Sequence, residues 1–305
     1  MKPVKHIETR AGMKVSELVD EMHLSGVFGA GRLAEAASVI TDMITDKNCR
    51  VFLGVAGAMV PGGMRQVIID LLEKGWIDVL VTTGANLTHD LVEALGYRHY
   101  IGEAEADDSK LNKEGIDRIY DSYMPDDVYA GLEDFLQKVF KGMNAEKMNI
   151  REFLWGIGRQ VKKKSILKTC YEKKIPVFCP AIADSGIGLQ AWSFIQKNRL
   201  DVSAFEDLKE MMDAAWTAKK TGVIYVGGGV PKNYIQQAMQ LTKGASYAVQ
   251  ITTDRPEAGG SSGAGLKEGM SWGKLSRKAR FVNLACDATI ALPIIAAALK
   301  DRIRQ

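Results

Sequence analysis

The sequence predicts an α/β fold built on a doubly wound, mostly parallel sheet with helices on both faces. Short runs rich in β-branched residues recur along the chain, and most of them end in glycine or small polar residues; they begin at Val51, Asp78, Pro176, Val223, Tyr247 and Arg280. The runs are almost continuously apolar, which is typical of strands buried on both faces of a parallel sheet. Segments with helical periodicity separate them, and this alternation indicates a Rossmann-like fold.

Helix-patterned segments run from Met64 to Gly75 and from Leu87 to Gly96, and each ends in a glycine suited to a helix C-terminus. The more polar stretch from Gly102 to about Lys164 is interpreted as helices and a long excursion covering the sheet. No Pro/Gly/Ser-rich linker interrupts the chain. We therefore predict one domain over residues 1–305, with an N-terminal helical arm at about residues 1–47.

Composition narrows the class of protein. The 305 residues include 40 Lys+Arg and 37 Asp+Glu, and a net charge of +3 is too small to indicate a nucleic-acid or membrane partner. The apolar run from Ile290 to Leu299 is too short to span a bilayer, and the N-terminus lacks a signal-peptide pattern. The cysteines are far apart, which predicts neither a metal site nor a disulfide framework; they are Cys49, Cys170, Cys179 and Cys286. We predict a cytoplasmic protein.

Glycine-rich segments follow several predicted strands, at residues 54–63, 82–86, 184–188 and 227–229. Ligands of open α/β sheets bind outside the carboxyl ends of the strands, and glycines there let backbone N–H groups approach a phosphate or a ring. Each segment taken alone could simply form a tight turn. Their coincidence at several strand ends favours a nucleotide-sized ligand, although the G-x-G-x-x-G pattern of ordinary dinucleotide-binding folds is absent.

Polar residues beside these strand ends have two interpretations each. Asp184 and Asp287 could cap the helices that follow, or bind a ribose hydroxyl or an amine. His89 lies near the start of a predicted helix, where a helix-start hydrogen bond is favoured over a general acid–base role.

The segment after Asp254 is the most unusual part of the chain. A Gly/Ser-rich stretch leads into Glu268, Trp272 and Lys274. A lysine beside a tryptophan and a glutamate is a candidate nucleophilic amine, because a desolvated pocket would lower its pKa. Trp272 could stack on a cation or line an apolar slot, and Glu268 could hold a second cation.

These residues resemble the deoxyhypusine synthase family, and specifically its shorter archaeal type. The segment from Glu268 to Lys274, EGMSWGK, is similar to the family signature that contains the catalytic lysine. Further similar blocks occur in the expected order, among them PVFCPAIADSGIGLQAW, VGGGVPKN, YAVQITTDRPEAGG and CDATIALP. The resemblance extends from about residue 10 to residue 300.

The resemblance implies a transferase that uses NAD, with Lys274 as its nucleophile. It implies NAD contacts in the turns after the strands, at Gly57, Ala58, Met59, Val60, Pro61, Thr83, Gly84, Ala85, Asp184, Gly228, Thr253, Asp254, Asp287 and Ala288. It also implies substrate-binding roles for Glu268, Trp272, His89, Asn233 and Ser261. The implied reaction moves the aminobutyl group of spermidine through a lysine imine to a lysine of translation initiation factor 5A, within a homotetramer.

Several positions depart from the eukaryotic members of the family. Leu189 and Ser261 stand where those enzymes have acids, Asn233 replaces a histidine, and Thr88 and His89 replace a pair of glutamates. Fewer carboxylates leave fewer charge-assisted hydrogen bonds for a polyamine. The alternatives are therefore a homospermidine synthase-like or agmatine-using aminoalkyl transferase, or an NAD-binding regulatory or scaffold protein without catalysis. Retention of Lys274 with its two neighbours argues against the last.

Overall fold

The computed structural model describes residues 1–143 and 147–303. Within them the α-helices are α1 Val15–Ser25, α2 Phe28–Thr45, α3 Arg65–Glu73, α4 Gly84–Leu95, α5 Asp108–Lys113, α6 Val128–Gly142, α7 Ile150–Gln160, α8 Ile166–Lys173, α9 Gly186–Ile195, α10 Glu206–Trp216, α11 Gly229–Gln240 and α12 Ala288–Arg302. The strands are β1 Cys49–Val55, β2 Val79–Thr82, β3 Tyr100–Ile101, β4 Ile116–Ile119, β5 Ser122–Pro125, β6 Met148–Asn149, β7 Val177–Phe178, β8 Val202–Ser203, β9 Lys220–Val226, β10 Ala245–Thr252 and β11 Leu275–Ala285. A π-helical turn covers Val60–Met64, and 3₁₀ turns cover Pro256–Ala258 and Leu266–Met270.

The chain forms two compact units. Unit 1 comprises Met1–Gly57, Lys74–Val81 and Lys209–Gln305, and unit 2 comprises Ala58–Glu73 and Thr82–Leu208. Helices α1 and α2 occupy the segment in which we expected a helical arm. The assignment of residues 1–305 to a single domain stays a prediction.

Unit 1 is built around a parallel sheet whose strands follow the order β11-β10-β9-β1-β2. Strands β1 and β9, β9 and β10, and β10 and β11 all pair in parallel. Phe52 of β1 lies opposite Val223 of β9, which lies opposite Ala248 of β10, and all three side chains are buried. The prediction of a mostly parallel α/β sheet is confirmed.

Helices cover both faces of this sheet. A Cβ atom on Gly222 would lie 2.9 Å from the Cβ of Met43 in α2, whereas one on Gly54 would lie 3.1 Å from Ile235 in α11. Gly222 pairs with Val51, three residues before Gly54 on the same strand. Because side chains alternate along a strand, α2 and α11 lie on opposite faces.

Unit 2 contains α3 to α9 and two small sheets. One is antiparallel, with the order β3-β5-β4, and the other pairs β6 with β8 in parallel. Our interpretation of residues 102–164 omitted β4, β5 and β6, and β3 and β8 were not predicted from the sequence either. They are two to four residues long and mostly half-buried, so they carry no run of alternation or continuous apolarity that a sequence pattern could reveal.

No helix in the described part of the chain is both long enough and apolar enough to cross a membrane.

Candidate active site

Lys274 is held by a well-defined turn at the end of the 3₁₀ segment Leu266–Met270. The N–H of Lys274 donates to the carbonyl of Gly269 at 2.8 Å, and the N–H of Gly273 donates to that of Met270 at 3.1 Å. This pair of bonds is the Schellman arrangement, which needs a left-handed residue just before its last position. Gly273 supplies it with a φ of +73°. The glycine in the sequence SWGK therefore directs the chain so that Lys274 leads into β11.

Trp272 lies beside the amine of Lys274. The Nζ atom is 5.3 Å from the centroid of the indole ring, a cation–π distance. Trp272 is itself 59% exposed, and Glu268 on the same turn is also exposed. The structure thus brings these three predicted residues onto one short turn, but Trp272 does not by itself exclude water from the amine.

Two buried side chains hold the Gly/Ser loop before this turn by hydrogen bonds. Neither of them was predicted from the sequence to be a site residue. The ammonium of Lys232 donates to the carbonyls of Ser261 at 2.5 Å and Ala264 at 2.6 Å, and to Oε1 of Gln250 at 3.0 Å. The Nε2 of Gln250 donates to the carbonyl of Ser262 at 2.7 Å. A polar glutamine inside the apolar run of β10 was the available signal for this cluster.

The environment of Lys232 explains how a lysine can occupy this position. Its side chain is 1% exposed, and burial lowers its pKa to about 8, with the charge of Lys274 acting in the same direction and that of Glu268 opposing it. At neutral pH it is therefore an ammonium, whose three N–H groups match three acceptors. Glu268 and Lys274, the two charged residues proposed for the chemistry of this turn, thus act electrostatically on Lys232.

The glycine triplet after β9 packs against the same Gly/Ser loop. A Cβ atom on Gly228 would lie 2.3 Å from the Cα of Ser262, a separation that only glycine allows. The N–H of Gly229 donates to the hydroxyl of Ser262 at 2.7 Å. In this position the main role of the triplet is to admit the neighbouring loop.

The other cofactor positions predicted in unit 1 follow the carboxyl ends of the strands. Gly57 lies just beyond β1 with a φ of +79° and is exposed, as are Thr253 and Asp254 beyond β10. Asp287 caps α12, since its carboxylate accepts from the N–H of Thr289 at 2.7 Å, and Ala288 is buried. For Asp287 the capping interpretation holds.

The cofactor positions predicted in unit 2 lie around the starts of two helices. Thr83 caps α4, with Gly84 buried and Ala85 exposed in the first turn. The cap of α9 is Ser185 rather than Asp184, whose side chain is free of that role and exposed. In the π-helical turn and the residues before it, Ala58 is exposed, Met59 and Pro61 are half-buried, and Val60 is buried.

His89 takes part in a hydrogen-bonded chain of three side chains. Its Nδ1 lies 2.9 Å from Nε2 of His99, and Nδ1 of His99 lies 2.9 Å from Oε1 of Glu93. Since Thr83 caps α4, the helix-start hydrogen bond that we favoured for His89 is wrong. The pKa of His89 is lowered to about 4, chiefly by burial and further by the neighbouring His99.

The remaining predicted substrate positions differ in exposure. Leu189 on α9 is 62% exposed, whereas Asn233 on α11 and Ser261 are half-buried. The carbonyl of Ser261 is engaged by Lys232. Among the predicted site residues of unit 1, the carboxylates of Asp254, Glu268 and Asp287 are exposed, and that of Asp287 caps α12.

A separate cavity of about 520 Å³ opens at the amino ends of β9, β10 and β11. Its lining includes Trp216, Lys220, Lys243 and Ser276, and none of the predicted site residues. Binding sites of parallel sheets lie at the opposite, carboxyl ends of the strands, so this cavity does not correspond to the predicted site.

Comparisons with known proteins show the family of the chain. The family model "Deoxyhypusine synthase" matches residues 17–299. A "probable deoxyhypusine synthase 1" of Methanosarcina acetivorans is 50% identical over 303 residues, covering 99% of this chain and 95% of the relative. Another protein of that name, from Archaeoglobus fulgidus, is 45% identical over 296 residues, covering 97% of each chain.

The fold is similar to that of a solved structure described as "a putative deoxyhypusine synthase from Entamoeba histolytica". The two superpose with a TM-score of 0.69 at 20% identity, covering 94% of this chain and 93% of that one. The archaeal relatives, the family model and the SWGK turn all agree. The chain belongs to the deoxyhypusine synthase family, a family of transferases.

Proposed function

We propose that this chain transfers the aminobutyl group of spermidine, through an imine on Lys274, to a lysine of translation initiation factor 5A. The presentation of Lys274 by the Schellman turn, next to Trp272 and Glu268, is the observation that carries the proposal. The family membership gives the reaction class, since its relatives bear the name deoxyhypusine synthase. The proposed place of the reaction is the cytoplasm, where a translation factor acts.

The proposed work of Lys274 is nucleophilic. Its neutral amine attacks the imine carbon of the oxidised donor, the bond from that carbon to the leaving amine breaks, and diaminopropane departs. The aminobutyl group then remains as an imine on Nζ until a lysine of the acceptor attacks the same carbon and frees Lys274. Glu268 is suited to hold an ammonium group of the donor, and Trp272 to cover one side of the amine.

NAD is the cofactor that the family implies, and the donor groups of the chain suit a dinucleotide. Unit 1 exposes the glycine turn at Gly57 and the carboxylate of Asp254, and unit 2 exposes Ala85 in the first turn of α4 and the uncommitted carboxylate of Asp184. Backbone N–H groups of such turns suit phosphates, and carboxylates suit ribose hydroxyls. When bound, NAD would supply a hydride acceptor for oxidation of the amine, and its reduced form would return that hydride to the imine left on the acceptor lysine.

A second candidate is a related aminoalkyl transferase with another donor or acceptor, either homospermidine synthase-like or agmatine-using. The exposed Leu189 and the half-buried Asn233 and Ser261 favour it, because none of them carries a charge. An amide such as Asn233 is suited to the planar guanidinium of agmatine. Asp254 is the exposed carboxylate that would compensate for the missing acids.

We also propose the homotetramer expected of the family. Most of the run from Ile290 to Leu299 lies in the core of unit 1, so it is not the basis for an interface. Helix α9 instead exposes Leu189, Trp192 and Ile195, at 62%, 61% and 45%. Such a patch on one helix is typical of an interaction surface. Light scattering at micromolar concentration tests the assembly, and an active monomer would rule it out.

The catalytic assignment is tested with Lys274→Ala. We expect transfer to be abolished while NAD binding and the thermal unfolding midpoint stay unchanged, because Lys274 belongs neither to the core nor to the cofactor positions. Borohydride added with NAD and spermidine should trap an adduct on Lys274 of the wild type, detected by peptide mass spectrometry. Lys267→Ala, an exposed lysine on the same turn, is the matched control. Wild-type transfer by Lys274→Ala would overturn the mechanism.

The donor is tested by incubation with NAD, labelled spermidine and purified factor 5A, and separately with agmatine or putrescine. We compare kcat/KM for spermidine and agmatine with the acceptor held fixed. A spermidine preference above about a hundredfold, roughly 2.7 kcal/mol in transition-state binding, would show that the missing acids are compensated. A ratio near one, or transfer to free putrescine, would favour the second candidate.

A further inference from the structure

We infer that Glu93, His99 and His89 form a proton relay that takes a proton from the amine donor, with His89 as the base that contacts it. This inference rests on the proposed function. Two observations of unit 2 carry it: the two contacts of 2.9 Å that join the three side chains in series, and the half-buried position of His89 on α4, one turn after the exposed Ala85.

The direction of hydrogen-bond donation along these three side chains follows from Glu93, the acidic end of the relay. The hydrogen bond from His99 holds the pKa of Glu93 below its usual range, so Glu93 is ionised and can only accept. Nδ1 of His99 must then carry a proton. With a neutral His99, its Nε2 accepts from Nδ1–H of His89, and this leaves Nε2 of His89 with a free lone pair. Among the described residues, none hydrogen-bonds to that Nε2.

The position of His89 gives the base access to a ligand. His89 lies one helical turn after Ala85 on α4, at a position for which the family resemblance implies substrate contact. Ala85 is exposed and His89 is half-buried, whereas the side chain of His99 is only 6% exposed. The relay is therefore accessible at His89 and most enclosed at His99 in its middle, while the side chain of Glu93 is 22% exposed.

The proposed step is a proton transfer that leaves all electrons in place. An N–H bond of the donor's secondary ammonium breaks, and its proton joins Nε2 of His89. The proton on Nδ1 of His89 passes to Nε2 of His99, which becomes an imidazolium beside the carboxylate of Glu93. The nitrogen of the donor keeps the lone pair that its oxidation requires.

The charges around the relay favour this end state. Burial disfavours a cation on His89, and a charge on His99 disfavours it further, so the two imidazoles do not both carry a positive charge. Glu93 faces His99 directly, and Arg65 and Arg98 also act on Glu93 and keep it ionised. The neighbouring Asp90 is engaged by Arg65 at 2.8 Å. His89 is thus the base, and His99 and Glu93 are positioning residues that accept and stabilise the proton.

The hydrogen-bond direction can be measured without any substrate. The chain has four histidines, and His6 and His23 are exposed and serve as internal references in a spectrum of ¹⁵N-histidine-labelled protein. Near neutral pH we expect both His89 and His99 to carry their proton on Nδ1, assigned by comparing His89→Gln and His99→Gln. A proton on Nε2 of neutral His89 would overturn the relay.

The functional arm uses His99→Gln, which keeps both hydrogen bonds because its amide accepts from His89 and donates to Glu93. We expect kcat/KM for the amine to fall 10- to 100-fold with an unchanged unfolding midpoint. The acid limb of the pH profile should move to lower pH, because His89 is then the only imidazole that can take the proton. Glu93→Gln should act in the same direction, since it removes the charge that stabilises the imidazolium.

A purely structural role for His99 predicts wild-type rates and an unmoved acid limb in His99→Gln, and that result would overturn the inference. Absence of transfer by the wild type would instead reject the proposed function, while the NMR measurement would still decide the direction of the chain. The two failures are therefore distinguishable.

Discussion

The ammonium of Lys232 lies 3.0 Å from the amide oxygen of Gln250, and between them these two side chains hold the backbone carbonyls of three residues in the Gly/Ser loop. The loop is the segment that leads into the Lys274 turn. Its order therefore depends on a helix residue and a strand residue that take no part in the proposed chemistry.

Replacing the ammonium should release the loop. Lys232→Met keeps a side chain of similar length but leaves the loop carbonyls without their donor. Each buried acceptor left without a hydrogen bond costs about 1–3 kcal/mol of unfolding free energy. We expect a loss of unfolding free energy, measured by urea titration, and a raised KM for the amine. Lys243→Met, an exposed lysine beyond α11, is the control and should change neither. An unchanged KM in a destabilised Lys232→Met would show that the loop does not shape the donor site.

The left-handed glycine of the Schellman turn, just before Lys274, should also affect both stability and transfer. Gly273→Ala should cost about 1–2 kcal/mol, because an alanine is strained at a φ of +73°, and it should lower transfer at least tenfold by shifting Lys274. Gly273→Asn should retain more activity, since asparagine tolerates left-handed backbone. Gly75→Ala carries the same strain at a φ of +66° outside the site, and it should lower stability without lowering activity. Equal activity losses in both alanine variants would contradict the positional argument.

Asp90 ties α4 to the start of α8 and offers a test of unit 2. Its fully buried carboxylate accepts from Arg65 at 2.8 Å and from the N–H groups of Ile166 at 2.9 Å and Leu167 at 3.3 Å. Burial raises its pKa to about 6, so it is ionised at pH 7. Asp90→Asn should cost about 3–5 kcal/mol at that pH, because Arg65 is left without its anion. Asp70→Asn, on the partly exposed side of α3, should cost less than about 1 kcal/mol, and a cost as large as that of Asp90→Asn would refute the ion-pair argument.

His89 should make stability depend on pH. Its pKa is about 4 in the folded chain against 6.5 without the fold, so the unfolded state binds more protons between these values. The contribution of neutral His89 to the unfolding free energy is complete above pH 6.5 and is lost as pH falls toward 4. Urea titrations should show that the wild type loses about 2 kcal/mol more than His89→Gln between pH 7 and 4.5. An equal loss of unfolding free energy in the two proteins over this pH range would contradict the prediction.

Much of the fold could be predicted from local pattern. The apolar runs became β1, β2, β7, β9 and β10, because strands buried on both faces need apolar residues at nearly every position, and the run at Arg280 became the second half of the edge strand β11, where burial alternates. The short strands β3 to β5 could not be predicted, since two to four exposed or mostly half-buried residues give no periodic signal.

The sequence by itself determined the parallel sheet, the family and the turn that presents Lys274, since the order S-W-G-K already contains the left-handed glycine that this turn needs. Only the tertiary structure decided that Lys232 points inward to carbonyls 29 and 32 residues away, and that His99 lies between His89 and Glu93. The physical reason is the range of the interactions. Periodicity and turn chemistry are set by neighbours along the chain, whereas the partner of a buried polar side chain is set by how distant segments pack.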